Sequence, residues 1–342
     1  MKLRELESAS STFIIAEVGQ AHDGSLGILH SLVEAAAEAG ADAVKFQVHI
    51  AEAESSAVEP FRVAFSYEDK NRFNYWKRMG FSKAQWSGIK RKCDSLGVEF
   101  LATPFSNAAV DLLEDMGVIR YKVGSGDVTN ELLLRRLGMT GKEVILSTGL
   151  VTYDELANAV RILGRHSVEF AILQCTTKYP TQAEDIGLQE ISHLKEQFGC
   201  PVGLSDHSGE IYPAIAAVAL KASIVETHIT FDKKMFGPDS KASLTVSQFA
   251  ELVRAIRFTE KACSMSPGKK LDNNKHELRR IFGRSLAVNR DMKEGEMVEL
   301  KDLEAKKPEG QGISLGSLNS VIGRKLRVSK RRWEFVSEED LV

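Results

Sequence analysis

The chain has 342 residues, 43% of them apolar and 27% charged, with a formal net charge of −2. That length allows one large domain plus a small one, and that composition is ordinary for a globular protein. Near-neutral charge gives no electrostatic footprint for nucleic acid or an acidic membrane, and no apolar stretch is long enough to cross a bilayer.

The N-terminal segment MKLRELESASSTFII lacks the apolar h-region of a secretory signal. Cys93, Cys175, Cys200 and Cys263 are scattered with no CxxC pair. Free thiols and a cytoplasmic location are the simple expectation.

The first strand-like run is Thr12–Gly19 (TFIIAEVG), followed by a helical pattern over Leu26–Ala39. Asp42–His49 (DAVKFQVH) is the next strand and carries Lys45 and Gln47. The long, aromatic and charged segment Ala51–Phe81 reads as an insertion loop. A helix over Lys83–Ser95 leads to Glu99–Phe105, and a further helix leads to Ile119–Ser125. The alternation continues with strands at Glu143–Gly149, Phe170–Thr176, Pro201–Leu204 and Ser223–Val225. Eight strands, each followed by a helix-length segment, predict a (β/α)8 TIM barrel, with a doubly wound sheet as the alternative.

After a helix near Val246–Met265, the stretch SPGKKLDNN is a linker signal. From about Arg279 the helical period gives way to short alternating runs broken by glycine. The expected organisation is a barrel over 1–265, a linker over 266–280 and a small turn-rich domain over 281–342.

Polar residues gather where the strands end: Glu17, Lys45, Gln47, Thr103, Lys122, Ser125, Ser147, Ser205, His207 and His228 among them. In a barrel those C-terminal ends form the active face. Two histidines at the ends of neighbouring parallel strands, with Asp239 just beyond, suit a divalent metal; two unrelated hydrogen-bonded histidines are the plainer reading. Lys45 and Lys122 with Thr103, Ser125, Ser147 and Ser205 suit a phosphate plus a carboxylate. A lysine forming a Schiff base with a carbonyl substrate fits the same pattern. Asp127, Asn130, Tyr179, Gln47 and Asp239 could hold a hydroxylated substrate. Glu17 is the general-base candidate, because apolar neighbours in its strand would raise its pKa; a structural carboxylate bonded to backbone amides is the alternative.

The motifs IAEVGQAHDG, DAVKFQ, ATPFS, KVGSGD, LSTG, LQCTTKYPT, GLSDHSG, ETHITFDK and GPDSKAS occur in this order along the chain. Together they resemble the sialic acid synthases over the whole length, including a C-terminal SAF (antifreeze-like) domain. The resemblance implies condensation of phosphoenolpyruvate with an open-chain N-acylated hexosamine (N-acetylmannosamine or a diacetamido relative), giving a nonulosonic acid and phosphate. It implies a divalent metal, Mn²⁺ before Mg²⁺ or Co²⁺, held by His207 and His228. Lys45, Thr103, Lys122, Ser125, Ser147 and Ser205 match family positions for phosphoenolpyruvate; Gln47, Asp127, Tyr179 and Asp239 match sugar-contacting positions. It also implies a domain-swapped homodimer in which the SAF domain caps the partner's barrel.

There are departures. Ala21-His22-Asp23-Gly24 replaces Asn-His-Asn-Gly, Thr177 stands where Asn or Ser is common, and Thr227 replaces a basic residue. Lys306-Lys307-Pro308 replaces Lys-Arg-Pro. The family arginine there reaches the sugar's N-acyl group, and Lys307 lacks its planar fork. These changes bear on the acceptor sugar, not on the reaction class. A Schiff-base aldolase using Lys45 or Lys122, and a non-catalytic sugar- or ice-binding protein, are the competing expectations.

Overall fold

The structure is a computed structural model describing residues 2–7, 11–63, 65–264, 268 and 272–342. The chain divides into two compact units, Met1–Met265 and Ser266–Val342.

In the first unit, among the described residues, eight parallel strands close on themselves. They are β1 (Phe13–Glu17), β2 (Ala43–Val48), β3 (Glu99–Pro104), β4 (Arg120–Val123), β5 (Glu143–Ser147), β6 (Phe170–Cys175), β7 (Val202–Asp206) and β8 (Ile224–Thr230). Each pairs with the next, and β8 pairs back to β1. Helices connect successive strands, as parallel pairing requires. The result is a (β/α)8 barrel, not a doubly wound sheet.

Strand periodicity sorts the side chains. In β1, Ile14 and Ala16 join the core packed under the helices. Phe13 and Ile15 point into the barrel with Ala43, Leu101, Ile145, Leu173 and Ile224. A 3-10 turn at Leu3–Glu7 adds buried Leu3 and Leu6 to that inner cluster. One step toward the C-terminal ends, the inward positions turn polar: Glu17, Lys45, Thr103, Lys122, Ser147, Ser205 and Glu226, all buried. Gly203 lets β7 approach β8, since a Cβ there would lie 2.1 Å from the Ile224 carbonyl oxygen.

Two strands outrun their predicted ends. β7 continues to Asp206 and β8 to Thr230, so Glu226 and His228 lie within a strand, two residues apart on one face. Their polarity mimics a strand end because the barrel's upper interior is itself polar.

The segment predicted as a loop over Ala51–Phe81 contains helices at Ala51–Glu54 and Arg72–Met79. Ala51, Tyr75, Trp76 and Met79 form a satellite core against Phe61, Phe65 and Phe73. The many aromatics give this insertion a core of its own.

The second unit is built on an antiparallel pair, Ser285–Val288 with Leu303–Lys306, and several 3-10 turns. Its core includes Leu286, Val288, Val298, Val321, Leu326 and Val336. Part of the predicted linker is helical: Asn273–Phe282 forms a helix capped by the Asp272 side chain. The rest of the linker signal falls largely outside the described residues.

Candidate active site

Strand register brings the polar layer together. Glu17 is level with Lys45 on one side and His228 on the other. Gln47 is level with Thr103, Cys175 with Ser205, and Ser205 with Glu226. These residues open into a cavity of about 390 Å³. Thirteen of the fourteen predicted site residues of the barrel line it: Glu17, Lys45, Gln47, Thr103, Lys122, Ser125, Asp127, Ser147, Tyr179, Ser205, His207, His228 and Asp239; Asn130 does not, and its side chain donates to Asp127 instead. Lys307 belongs to the second unit, where its ammonium lies 5.3 Å from the Phe282 ring centroid.

The two lysines do not stand free. Lys45 Nζ is 2.5 Å from Glu17 Oε2, 3.6 Å from Glu226 Oε1 and 3.3 Å from Thr103 Oγ1. Lys122 Nζ donates to Ser147 Oγ at 2.5 Å and is also 3.6 Å from Glu226 Oε1. Ser205 Oγ donates to the same carboxylate at 3.0 Å. Glu226 therefore bridges both cations.

Burial disfavours the Glu226 charge, but Lys122, Lys45 and His207 outweigh it and hold the carboxyl down, to about 2. Burial likewise opposes charge on Lys45, yet Glu17 and Glu226 outweigh it and hold the ammonium above the ordinary lysine range. For Lys122 burial wins over Glu226, and its pKa lies below the ordinary range. The lysines thus differ: Lys45 is a secured cation, and Lys122 is the more readily deprotonated amine.

Glu17 does not sit among apolar neighbours, as its strand sequence suggests. Its carboxylate is ion-paired to Lys45 and accepts from Gln47 Nε2 at 2.8 Å. The neighbours that decide its environment come from β2, across the sheet.

His207 and His228 face each other with ring centroids 5.3 Å apart. His207 Nδ1 lies 3.1 Å from the Thr176 carbonyl oxygen, which can only accept. Nδ1 therefore carries a proton, and Nε2 lies 3.1 Å from Tyr179 Oη; burial opposes charge on this ring, but Cys175 and the Thr176 carbonyl outweigh it and hold His207 above the ordinary histidine range. Burial holds His228 below the ordinary histidine range, toward its neutral, ligating form. Gly19, at φ +50°, makes room: a Cβ would meet His228 Nδ1 at 3.1 Å and Glu17 Oε1 at 3.3 Å.

This donor set fits a divalent metal with two imidazoles and open positions for substrate or water. Among the described residues no group of three or more His, Cys, Asp or Glu side chains gathers in ligating geometry.

Several lining residues escape the sequence pattern. Glu226 could be found, since it lies two residues before His228 on the same face. Arg62, from the insertion, stacks 3.8 Å from the Tyr179 ring centroid and donates to Asp239 Oδ1 at 2.6 Å. Gln20, His49 and Glu54 form a buried polar chain behind Gln47. Gln20 and His49 lie just past the ends of β1 and β2, and only Glu54 of the three comes from the insertion. Asp127 accepts from Asn130 Nδ2 at 3.0 Å, and burial raises its pKa.

A cradle of lysines and hydroxyls beside paired histidines, on the C-terminal face of a barrel, is the arrangement to compare with known proteins. The family model described as the NeuB family matches residues 32–267. The chain belongs to the NeuB family.

Among relatives of this NeuB chain, N,N'-diacetyllegionaminic acid synthase of Campylobacter jejuni is 32% identical, covering 96% of this chain and 99% of its own. Human N-acetylneuraminate-9-phosphate synthase is 33% identical, covering 96% of this chain and 92% of its own. The crystal structure of N-acetylneuraminic acid (sialic acid) synthetase from Leptospira borgpetersenii superposes with a TM-score of 0.70 at 31% identity, over 78% of this chain and 90% of that one. These relatives are synthases of different nonulosonic acids, and this NeuB chain is an enzyme of the same condensing type.

Proposed function

We propose that the protein condenses phosphoenolpyruvate with the open-chain form of an N-acylated hexosamine, giving a nonulosonic acid and phosphate. The observation that carries this reading is one cavity in which two buried lysines, joined by Glu226, adjoin two facing histidines. The synthase names of the relatives support it.

Lys45 and Lys122, with Thr103, Ser125, Ser147 and Ser205, hold the phosphate and carboxylate of phosphoenolpyruvate. Gln47, Asp127, Tyr179 and Asp239 hold the acceptor. Held so, the phosphoenolpyruvate methylene faces the acceptor aldehyde. The new C–C bond forms there, the aldehyde oxygen takes up a proton, and positive charge develops at C2. Water adds to C2, and the ionised Glu17 accepts its proton. The C2–O bond then breaks, phosphate leaves, and the lysines balance its charge. His207 and His228 would hold a divalent cation, Mn²⁺ foremost, which supplies Lewis-acid polarisation of the aldehyde.

The second unit is proposed to be a SAF domain reaching the partner's site in a dimer, with Lys307 near the acceptor. Sedimentation at twice the 37.7 kDa chain mass would support the dimer, and a monomer active at assay concentrations would refute it.

The test is phosphate release from phosphoenolpyruvate across a panel of N-acylated hexosamines, with Mn²⁺ and with EDTA. Metal-dependent release with one sugar is expected. Metal-independent turnover with borohydride trapping at Lys122 would instead establish a Schiff-base aldolase. Binding of sugar without phosphate release would establish a binding protein.

A further inference from the structure

Along one wall of the cavity runs a chain of buried hydrogen bonds ending at Glu17. His49 is sandwiched between Trp76 and Phe105, at ring centroids 3.8 and 4.4 Å and nearly parallel. Its Nδ1 is 2.5 Å from Glu54 Oε1, and its Nε2 is 3.1 Å from Gln20 Nε2. Gln20 Nε2 is 2.6 Å from Gln47 Oε1, and Gln47 Nε2 is 2.8 Å from Glu17 Oε1.

His49 Nε2 also lies 3.2 Å from Gln47 Oε1, so it faces an amide donor and an amide acceptor at nearly equal distance. Glu17, ion-paired to Lys45, can only accept, so Gln47 must turn its NH₂ toward it. That points Gln47 Oε1 at Gln20, which must present its own NH₂. The second hydrogen of that NH₂ points at His49 Nε2; a lone pair there satisfies this shorter contact, at 3.1 Å, whereas an Nε2–H would satisfy only the 3.2 Å contact to Gln47 Oε1. Nδ1 then carries the proton and donates to the Glu54 carboxylate. Reversing any amide places acceptor against acceptor at 2.6 or 2.8 Å.

We infer that His49, held as the Nδ1–H tautomer by Glu54, is a positioning residue for Glu17, acting through Gln20 and Gln47. His49 lines the cavity and meets Gln47, a proposed acceptor-holding residue, at 3.2 Å. It fixes which face of two amides is turned forward, and so the lone pair with which Glu17 meets the attacking water. This role rests on the proposed condensation.

Two measurements test it. The first is the nitrogen spectrum of ¹⁵N-histidine-labelled protein at neutral pH, with His49 identified by the signals lost in His49→Phe. A pyrrole-type Nδ1 and a pyridine-type Nε2 are expected; a proton on Nε2 overturns the inference. This reading needs no activity, so it stands apart from failure of the proposed reaction.

The second is steady-state kinetics. His49→Phe keeps the aromatic sandwich and removes both nitrogens. It should lower kcat about 10- to 100-fold, with KM for phosphoenolpyruvate held within about two-fold. Gln20→Leu should do the same, and the double variant should be no worse than either alone, because both cut one chain. Glu54→Gln, which keeps an acceptor oxygen at Nδ1–H, should retain most of the activity. Wild-type kcat in His49→Phe, or additive losses in the double variant, would refute the positioning role.

Discussion

Replacing Glu226 by Gln removes one negative charge and almost no volume, and Ser205 can still donate to the amide oxygen. The buried group then changes from two ammoniums facing two carboxylates to two ammoniums facing Glu17 alone. The displacement of the Glu226 carboxyl from 4.5 to about 2 corresponds to about 3 kcal/mol of folding stability. That agrees with the roughly 3–5 kcal/mol typical of breaking a buried ion pair from one side. For a unit of this size it is a fall in Tm of about 6–12 °C.

The sign with pH follows from the direction of the shift. The folded pKa lies below the unfolded one, so the contribution is complete above about pH 4.5 and is lost as pH falls through about 2. Wild type and variant should differ most near neutrality and converge on acidification. The uncompensated ammonium should also make inorganic phosphate stabilise the variant more than the wild type. Thermal unfolding at several pH values, with and without phosphate, measures all three effects. A variant with wild-type Tm at neutral pH and no added response to phosphate would refute Glu226 as the shared counterion.

Other substitutions probe the remaining parts. His207→Ala should abolish turnover while the far-ultraviolet circular dichroism stays native; activity that survives with EDTA present would rule out the metal role. Arg62→Ala removes the guanidinium that steadies Tyr179 and Asp239. It should raise KM for the acceptor about ten-fold and leave KM for phosphoenolpyruvate unchanged; an effect on phosphoenolpyruvate alone would contradict this placement. Arg120, 2% exposed, is ion-paired to Glu99 at 2.8 Å and Glu143 at 3.2 Å on the opposite rim. Arg120→Met should cost about 3–5 kcal/mol. Burial already raises the Glu99 pKa against the opposing Arg120, so without the arginine that deficit should shrink as pH falls and Glu99 takes up its proton. A deficit independent of pH, followed by denaturant unfolding, would contradict this account.

The barrel was legible because parallel strands and their covering helices have distinct periods, repeated eight times. Most of the site was legible for the same reason: residues such as Lys45 and Lys122 break otherwise apolar strands, and only a polar interior or rim tolerates that. The insertion was misread, since Arg72–Met79 buries Tyr75, Trp76 and Met79 in a small cluster with no repeat to reveal it. The helix Asn273–Phe282 was hidden by its polar composition and buries none of its residues.

What the sequence by itself determined is therefore the alternation, the order of the strands, and which residue types each brings to the C-terminal ends. Those follow from local periodicity and chain order. The tertiary structure alone decided who faces whom. Register set Glu17 beside Lys45 and His228 and made Glu226 the link between two lysines, while the fold of the insertion carried Glu54 and Arg62 to the cavity. These are contacts between residues far apart in the chain, so their geometry and their charge balance exist only once the barrel has closed.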